Sequence, residues 1–381
     1  MWWCLERHLS LVSLKCERFQ KLPRLPGIAR HRMANGIAPE MESAHLQQAA
    51  EPQTSLEIRL PWVVSSAWQT LLSNTPLDFE TSKELYPQLK EQAQEVLGKA
   101  LCQQIRGFVE DPQLTSMIVR NCPRDRDVPP TPYSGVLSPR STPIACLVSL
   151  TMQHLMGINP VVYEGENDGR LFRHVIPART SSSQKSSHGS RLRFSYHVDN
   201  PDLPLSSEPL GSVSCCPEYL SFFGMRCDPR ISTTLVNLDA VIASLPLATV
   251  RELCEAQFEI RRPDSFTGNR RCTAELPVLV RGHSGEWLCR FDSENTHGLN
   301  LRAEQALATL RGLLETRRFD EPHLLLPGDF MIFKNQRVLH ARDGFEPQND
   351  GADRWLLRVF AVNDLNRVRF ARADHLYEVL S

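Results

Sequence analysis

Short runs with the residue pattern of β-strands, separated by turn residues, fill most of the chain from residue 171 onward. The predicted strands are Leu171 to Ile176, Leu192 to His197, Tyr219 to Met225, Thr233 to Asn237, Glu275 to Val280, Glu286 to Phe291, Phe330 to Phe333 and Trp355 to Val362. The helices predicted between them are Leu238 to Leu245, Thr249 to Ala256 and Ala303 to Thr316. Many short strands with few helices are typical of a double-sheet jelly roll.

The first part of the chain has a different pattern, in which longer helices dominate. Leu56 to Trp62 alternates like a strand, and Thr81 to Ile105 has apolar residues at helical spacing. Pro143 to Met156 is apolar enough for a buried helix, while the proline-rich residues 111 to 141 predict a loop. We therefore predict an α+β fold, a double-stranded β-helix (jelly roll) core with flanking helices, as a single domain over residues 56 to 381.

Residues 1 to 55 are predicted to be an N-terminal extension of that domain. The first 32 residues are rich in arginine and lysine, as in a transit peptide, but they contain two glutamates and few serines. An upstream start codon, with Met33 opening the natural chain, is the alternative interpretation. Residues 33 to 55 are polar and predict a flexible lead-in.

The charge balance and the cysteines argue against several classes of protein. A formal net charge of -1 lacks the basic surplus that nucleic-acid binding usually shows. No segment approaches the roughly 18 uninterrupted apolar residues of a membrane span. The 11 cysteines include no C-x-x-C pair, which argues against a zinc ribbon or a thioredoxin-like site and fits reduced thiols in the cytoplasm.

One H-x-D motif, His197-Val198-Asp199, stands at the end of a predicted strand. Residues i and i+2 of a strand share a face, so the histidine and the aspartate are expected to point together. A chain with 12 histidines and 44 acidic residues contains such a motif by chance, so a surface or structural pair is the alternative. A jelly roll can bring a second histidine, His340, beside the first. Two imidazoles and one carboxylate are the ligand set of non-haem Fe(II) oxygenases, and the sequence shows no fourth ligand for a closed zinc site.

Two arginines belong to the last long predicted strand and its flank: Arg354 stands just before the strand, and Arg358 lies in it. Residues four apart on a strand share a face, which here is the interior of the predicted barrel. An interior arginine needs an anionic partner, and an anionic ligand would supply one. The alternative is a salt bridge to a nearby aspartate, of which the sequence offers Asp329, Asp350 and Asp353.

Two segments near the end of the chain resemble the clavaminate synthase-like branch of the Fe(II)/2-oxoglutarate oxygenases. They are GDFMIFKNQRVLHARDGF, residues 328 to 345, and DGADRWLLRVF, residues 350 to 360. Within that branch, the chain is most similar to the free amino-acid hydroxylases of the arginine β-hydroxylase and asparagine oxygenase type. The upstream segments that agree in order are NDGRLFRHVIP, HGSRLRFSYHVD, PEYLSFFGMR and STTLV. The resemblance covers about residues 105 to 370.

The resemblance implies an enzyme that uses Fe(II), 2-oxoglutarate as co-substrate and O₂. It implies that the iron ligands are His197, Asp199 and His340. It implies that the distal carboxylate of 2-oxoglutarate is bound by Arg354 and Thr234. It implies that Arg358 binds the α-carboxylate of the substrate. It also implies that Asp292 and Glu294 contact the substrate, because arginine-using members hold acidic residues near these positions. For the last two residues, an acidic pair in a solvated turn is the alternative.

The activity that the resemblance implies is hydroxylation of an unactivated carbon of a free amino acid or an amino-acid-derived small molecule in specialised metabolism. The alternatives are a catalytically silent jelly-roll binding protein, and a desaturase or cyclase of the same family. A cupin-like metal enzyme without 2-oxoglutarate is disfavoured because Arg354 and Thr234 would have no role in it. The sequence departs from the nearest members at H-V-D, where they have H-T-E, and in a longer segment from Asn200 to Cys216 that is predicted to be a lid.

Overall fold

Two β-sheets, one large and one small, form the core of the structure, which is a computed structural model. The large sheet has eight strands, and the small sheet has four. Apolar side chains from both sheets join one buried cluster, which includes Phe222, Leu235, Met331 and Leu339. This arrangement is the predicted jelly roll, and the fold prediction is confirmed.

The structure describes residues 54–75, 85–178, 190–262, 266, 271–372 and 377–381. Its strands are β1 Ser55–Arg59, β2 Ser116–Arg120, β3 Asn159–Tyr163, β4 Arg173–Val175, β5 Phe194–His197, β6 Tyr219–Arg226, β7 Thr233–Asn237, β8 Phe258–Arg261, β9 Cys272–Leu276, β10 Leu279–Arg281, β11 Trp287–Cys289, β12 Thr296–Gly298, β13 Glu321–His323, β14 Phe330–Lys334, β15 Val338–Arg342, β16 Trp355–Val362 and β17 Glu378–Val379. Its helices are α1 Trp62–Ser73, α2 Leu85–Glu110, α3 Pro143–Met156, α4 Leu238–Ala243, α5 Leu247–Leu253 and α6 Leu301–Glu315.

The large sheet has the order β1-β2-β14-β6-β16-β3-β17, with β4 also paired to β16. The small sheet has the order β13-β7-β15-β5.

The described residues from 54 onward belong to one compact unit, Glu51–Ser381. The extension predicted for residues 1 to 55 lies outside the described residues, apart from its last two. The tract SSSQKSSHGS at residues 181 to 190, whose composition predicts a mobile loop, also lies outside them except for Ser190. Within the described part of the chain, no helix is both long enough and apolar enough to cross a bilayer.

The helices of the first part of the chain cover one face of the large sheet. The helix α3 has the bounds that the sequence predicts, and nearly all of its side chains are buried. Asp125 accepts hydrogen bonds from the backbone N–H groups of Ile144 and Ala145, so its carboxylate satisfies two donors that the first turn of α3 leaves open. The helix ends at Gly157, which has a φ of 78°, a conformation that favours glycine.

Two predictions for the first part of the chain are wrong. Residues 111 to 141 were expected to form only a loop, but Ser116–Arg120 is the strand β2, which pairs with both β1 and β14. The apolar run of β2 is short, and the prolines and charged residues on either side of it are typical of a loop. The predicted strand at Leu56 to Trp62 ends at Arg59, and Trp62 begins the helix α1. Pro61 precedes that helix, where a fixed φ suits the chain.

The segment from Asn200 to Cys216 was expected to be a lid, but much of it packs into the core. Leu203 and Leu205 are fully buried in the cluster between the sheets. Arg367 donates hydrogen bonds to the carbonyls of Leu205 and Glu208, which tie the segment to the residues after β16. The segment is therefore a fixed part of the barrel wall.

A buried hydrogen bond between Trp355 and His174 joins β16 to β4. The indole Nε1 donates to His174 Nδ1 at 3.1 Å, so that ring nitrogen carries no proton. Burial lowers the pKa of His174 from its ordinary 6.5 to about 4. The folded state therefore favours the neutral imidazole.

We expect this histidine to make the protein less stable in acid. Because its pKa is lower in the folded state, the unfolded chain takes up the proton first as the pH falls below 6.5. Its contribution, roughly 3 kcal/mol from the size of the shift, is fully present above pH 6.5 and is lost as the pH falls to about 4. The variant His174→Asn cannot take up that proton, so its melting temperature should fall less steeply between pH 6.5 and 4. His283→Asn, in an exposed turn, is the control and should keep the wild-type slope; equal slopes for all three proteins would contradict the assignment.

Candidate metal centre and its surrounding arginines

Two adjacent strands of the small sheet bring His197, Asp199 and His340 together. β5 and β15 are antiparallel, and His197 lies directly opposite His340. Residues that face each other in this way project from the same side of the sheet, and their imidazole centroids lie 4.0 Å apart. Asp199 follows β5 by two residues, and one ligand atom from each of the three residues lies within 4.8 Å of the others. Within the described residues, this is the one cluster of its kind.

The hydrogen bonds of His197 leave one ring nitrogen open. Its Nδ1 lies 2.8 Å from the carbonyl oxygen of Ser195 and donates to it. Its Nε2 is buried and has no hydrogen-bond partner. Burial first, and then the charge of His340, lower the pKa of His197 to about 3, so the ring is neutral. A neutral imidazole held by a backbone carbonyl is the form in which histidine binds a metal.

Asp199 supplies the negative charge of the cluster. Burial alone would raise the pKa of its carboxyl, but the guanidinium of Arg358, followed by the hydrogen bond with His340, holds that pKa well below its usual range. Asp199 Oδ2 lies 3.5 Å from both His340 Nε2 and Arg358 Nη1. The cluster thus offers two imidazoles and an ionised carboxylate, which fit the facial ligand set of Fe(II) and leave three coordination positions open.

Arg354 is buried and contacts a hydroxyl. Only 7% of its surface is exposed, and its Nη2 donates to Thr233 Oγ1 at 2.8 Å. Burial lowers the pKa of Arg354 to about 10. The aspartates suggested as its partners bond elsewhere, since Asp329 pairs with Arg120 and Asp353 accepts from Tyr133 and two backbone N–H groups. Arg354 and its hydroxyl neighbour can therefore receive a carboxylate from a small molecule.

The sequence assigned the hydroxyl beside Arg354 to Thr234, whereas the structure places Thr233 there. In the pairing of β7 with β15, His340 lies opposite Leu235, so Thr233 shares the face of the triad. Thr234 lies opposite Ala341, on the other face. Two adjacent threonines look equivalent in the sequence, but a shift of one residue changes the face of the sheet.

The two threonines give a sharp test of this geometry. We expect Thr233→Val to weaken the binding of a carboxylate ligand at Arg354 by roughly tenfold, because a buried N–H of the guanidinium loses its acceptor. Thr234→Val is the matched control and should change the affinity by less than about twofold. The measurement is an anaerobic titration of the Fe(II)-loaded protein with 2-oxoglutarate, followed by its charge-transfer absorption. Equal effects of the two variants would contradict the assignment.

Arg358 has a buried carboxylate partner that the sequence did not reveal. Its Nη2 donates a hydrogen bond to Glu166 Oε1, and the side chain of Glu166 is 1% exposed. Asn200 Nδ2 donates to the other carboxylate oxygen at 3.4 Å. Glu166 lies in the turn after β3, where the sequence EGENDG looks like a solvated loop. Only the packing of that turn against the barrel brings its carboxylate to the site.

A further arginine of the site, Arg342, was also missed. It follows His340 by two residues on β15, and this spacing was a usable signal in the sequence because it places both residues on one face. Arg342 is buried, and its pKa is lowered to about 9 by burial and then by the charge of Arg354. The region around Arg354 is therefore strongly positive and suited to an anion.

Asp292 and Glu294, which the resemblance places at the substrate, differ in their burial and their contacts. The carboxylate of Asp292 accepts hydrogen bonds from the backbone N–H groups of Glu294 and Asn295 and from the side chain of Asn295. Burial raises the pKa of Asp292, and these bonds act against that rise. Glu294 is exposed and accepts a hydrogen bond from Ser195 at 3.4 Å. Asp292 is buried and forms an isolated antiparallel bridge with His197, so it lies next to the candidate metal ligand, whereas Glu294 lies at the surface.

Comparison with known proteins gives consistent matches. Residues 232–360 match the taurine catabolism dioxygenase TauD, TfdA family. L-lysine 3-hydroxylase of Catenulispora acidiphila is 27% identical over 264 residues, which are 68% of this chain and 70% of that protein. L-asparagine oxygenase of Streptomyces coelicolor is 29% identical over 260 residues, which are 68% of this chain and 74% of that protein. A crystal structure of asparagine oxygenase in complex with Fe(II), 3-hydroxyasparagine and succinate superposes with a TM-score of 0.73 at 25% identity, covering 85% of this chain and 99% of that one.

Proposed function

Because this chain belongs to the TauD/TfdA family of dioxygenases, we propose that it is an Fe(II)- and 2-oxoglutarate-dependent hydroxylase of a free amino acid or a closely related small molecule. One observation carries this proposal beyond the family: the three candidate metal ligands converge, and the buried Arg358 lies 3.5 Å from one of them, Asp199. The named relatives act on lysine and on asparagine, and the crystal structure of asparagine oxygenase holds Fe(II) and succinate.

In this proposal, the triad holds the metal and each arginine holds one carboxylate. His197, Asp199 and His340 would bind Fe(II) through two nitrogens and one oxygen. When bound, Fe(II) supplies the oxidising chemistry, in which O₂ and 2-oxoglutarate are converted so that one oxygen atom enters a C–H bond and succinate and CO₂ are released. The protein supplies the positions of the reactants and excludes water from them.

The contacts of the two arginines support a proposal in which each binds a different carboxylate. Arg354, with Thr233, would bind the distal carboxylate of 2-oxoglutarate. Arg358 lies 3.5 Å from a metal ligand, Asp199, so a carboxylate on Arg358 would hold its molecule next to the metal. The carboxylate of Glu166, which pairs with Arg358, would accept a hydrogen bond from the α-ammonium group of the amino acid. An arginine and a glutamate in contact are complementary to the two charges of an amino acid.

The alternatives are less well supported by these contacts. A catalytically silent binding protein would be favoured if one of the three triad residues faced away from the others, but their ligand atoms converge. A cupin-like enzyme without 2-oxoglutarate would leave the buried Arg354 and Arg342 without a role. Desaturation or cyclisation would use the same residues and is distinguished by the product alone. We place the reaction in the cytoplasm, where the free cysteines of the described chain would stay reduced.

The proposal is tested by succinate formation. We expect Fe(II), 2-oxoglutarate, O₂ and a panel of free L-amino acids to yield succinate, with a product 16 mass units heavier than one amino acid. The anaerobic Fe(II)·2-oxoglutarate complex should also show its charge-transfer band. The absence of both the band and of any turnover, coupled or uncoupled, would contradict the proposed function.

A further inference from the structure

Asp199 is the member of the metal triad that lies outside the strands of the small sheet. His197 and His340 pair on neighbouring strands, so the sheet itself holds both imidazoles in place. Asp199 stands two residues beyond β5, where the chain bends. The next residue, Asn200, has a φ of 54°, a left-handed conformation that ends the extended chain. The backbone of Asp199 therefore needs a partner from another part of the fold to keep its carboxylate beside the imidazoles.

The side-chain amide of Asn335 is such a partner. The backbone N–H of Asp199 donates to Asn335 Oδ1 at 3.0 Å, and Asn335 Nδ2 donates to the carbonyl oxygen of Asp199 at 3.1 Å. The two bonds run in opposite directions between the same two residues, as they do in a hydrogen-bonded pair of antiparallel strands. Asn335 is 0% exposed, so water does not compete for these bonds. One amide thus takes the place of a neighbouring strand at the point where β5 has ended.

Further hydrogen bonds fix the position of Asn335 itself. Its Nδ2 also donates to the carbonyl oxygen of Pro217 at 2.9 Å. Its backbone N–H donates to the carbonyl oxygen of Glu218 at 2.8 Å. Asn335 lies in the short turn between β14 and β15, five residues before His340. The segment that leads to one imidazole is therefore joined through Asn335 to the backbone of the carboxylate ligand.

The hydrogen-bonding groups around this position are matched by asparagine. The position needs an acceptor for the N–H of Asp199 and a donor for two carbonyl oxygens, and a primary amide supplies both. An ionised aspartate has the same shape but has no donor, and it would face the two carbonyl oxygens. The thiol of Cys216 also donates to the carbonyl oxygen of Asp199 at 3.3 Å, but a thiol is a weak donor and cannot replace the acceptor.

On the premise of the proposed function, we propose that Asn335 is a positioning residue for the metal centre. Its amide sets the backbone of Asp199 so that the carboxylate points towards the imidazoles of His197 and His340. Removal of the amide should let Asp199 turn away while the two imidazoles stay paired. Metal affinity should then fall although all three ligands are still present.

Metal binding measures this role without turnover. The wild type and the variant Asn335→Ala are titrated anaerobically with Mn(II), and electron paramagnetic resonance distinguishes free from bound metal. Loss of a residue that supports a metal ligand typically weakens metal affinity by about 10- to 100-fold, and we expect a loss in this range. The spectrum of Mn(II) bound at saturation should also differ from that of the wild type, because the carboxylate oxygen is displaced.

Gln336→Ala is the matched control, because it removes the adjacent buried amide, whose hydrogen bonds go to Ser206 and Cys216. Gln336 is 3% exposed, accepts from the backbone N–H and the hydroxyl of Ser206, and donates to the carbonyl oxygen of Cys216. Both variants lose buried hydrogen bonds, so their melting temperatures should fall by similar amounts. Gln336→Ala should nevertheless keep the wild-type Mn(II) spectrum and an affinity within about twofold of the wild type.

A second variant covers the case in which Asn335→Ala does not fold. Asn335→Asp keeps the size of the side chain and the acceptor for the N–H of Asp199, but it removes the donor. It should still weaken Mn(II) binding by about tenfold.

The possible failures are distinguishable. Wild-type affinity and spectrum in a folded Asn335→Ala, or equal losses of affinity in Asn335→Ala and Gln336→Ala, would overturn the positioning role and leave the proposed function intact. A wild-type protein that binds neither Mn(II) nor Fe(II), forms no charge-transfer complex and produces no succinate would overturn both.

Discussion

Replacing His340 by alanine is expected to abolish tight metal binding and, with it, all 2-oxoglutarate turnover. His340 lies directly opposite His197, so the variant leaves one imidazole and one carboxylate where three ligands converged. Loss of a residue that only supports a metal ligand weakens metal affinity by about 10- to 100-fold, so loss of a ligand itself should exceed about 100-fold. The measurement is an anaerobic titration with Fe(II), or with Mn(II) followed by electron paramagnetic resonance.

The control for this variant is His283→Ala, which removes an exposed histidine from the turn between β10 and β11. Its metal affinity should match that of the wild type. Retention of metal binding and turnover by His340→Ala would remove this residue from the site. A variant that is correctly folded by circular dichroism yet binds metal weakly excludes misfolding as the cause.

Replacing Arg354 by methionine is expected to raise the dissociation constant of 2-oxoglutarate by roughly 100-fold or more. Truncating one partner of a buried charge pair typically costs about 2–5 kcal/mol of binding free energy. The same change removes a buried cation whose polar contact is with Thr233 rather than with a carboxylate. The ligand-free variant should therefore melt at a temperature no lower than that of the wild type, while the rise in melting temperature that 2-oxoglutarate gives the wild type should disappear.

A loss of 2-oxoglutarate affinity without a fall in melting temperature distinguishes a ligand-binding arginine from a structural one. If Arg354 served stability alone, the methionine variant would melt at a lower temperature and bind 2-oxoglutarate normally. Arg251→Met, on the exposed side of α5, is the control and should change neither quantity. Arg354→Lys keeps the charge but loses the planar geometry, so its affinity should fall between those of the wild type and Arg354→Met.

Short apolar runs were enough to predict three of the strands that carry the site, but not β15, which carries His340. Thr233–Asn237 and Trp355–Val362 have the bounds that the sequence predicted, and the strand before His197 was placed within two residues. Thr233–Asn237 and Trp355–Val362 are fully buried runs bounded by turn residues, a pattern that can be recognised in the local sequence. The family resemblance, confirmed by the relatives and the shared fold, supplied the order of the motifs.

The residues that the sequence did not reveal belong to the site through tertiary contacts. Glu166 stands in a turn whose glycine, asparagine and acidic residues are typical of a surface loop, and its burial follows from pairing in space with Arg358. The choice between Thr233 and Thr234 required the register of β7, which two adjacent identical residues cannot provide.

The two arginines of β16 and its N-terminal flank have a consequence for regiochemistry. Arg354 and Arg358 are separated by four residues of extended chain, about 13 Å between their Cα atoms at about 3.3 Å per residue. The pairing of β16 with β6 is irregular next to Arg354, where Trp355 pairs with Arg226 and Leu356 pairs with Gly224. The extra residue lies in β6, so the spacing along β16 is unaffected. In the proposed function, where Arg354 and Arg358 hold the two carboxylates, one continuous segment would set where the α-carbon of a bound amino acid lies relative to the metal. Amino acids of different length should therefore be oxidised at the same carbon counted from the α-carbon, and their extra length should be accommodated at the far end of the side chain.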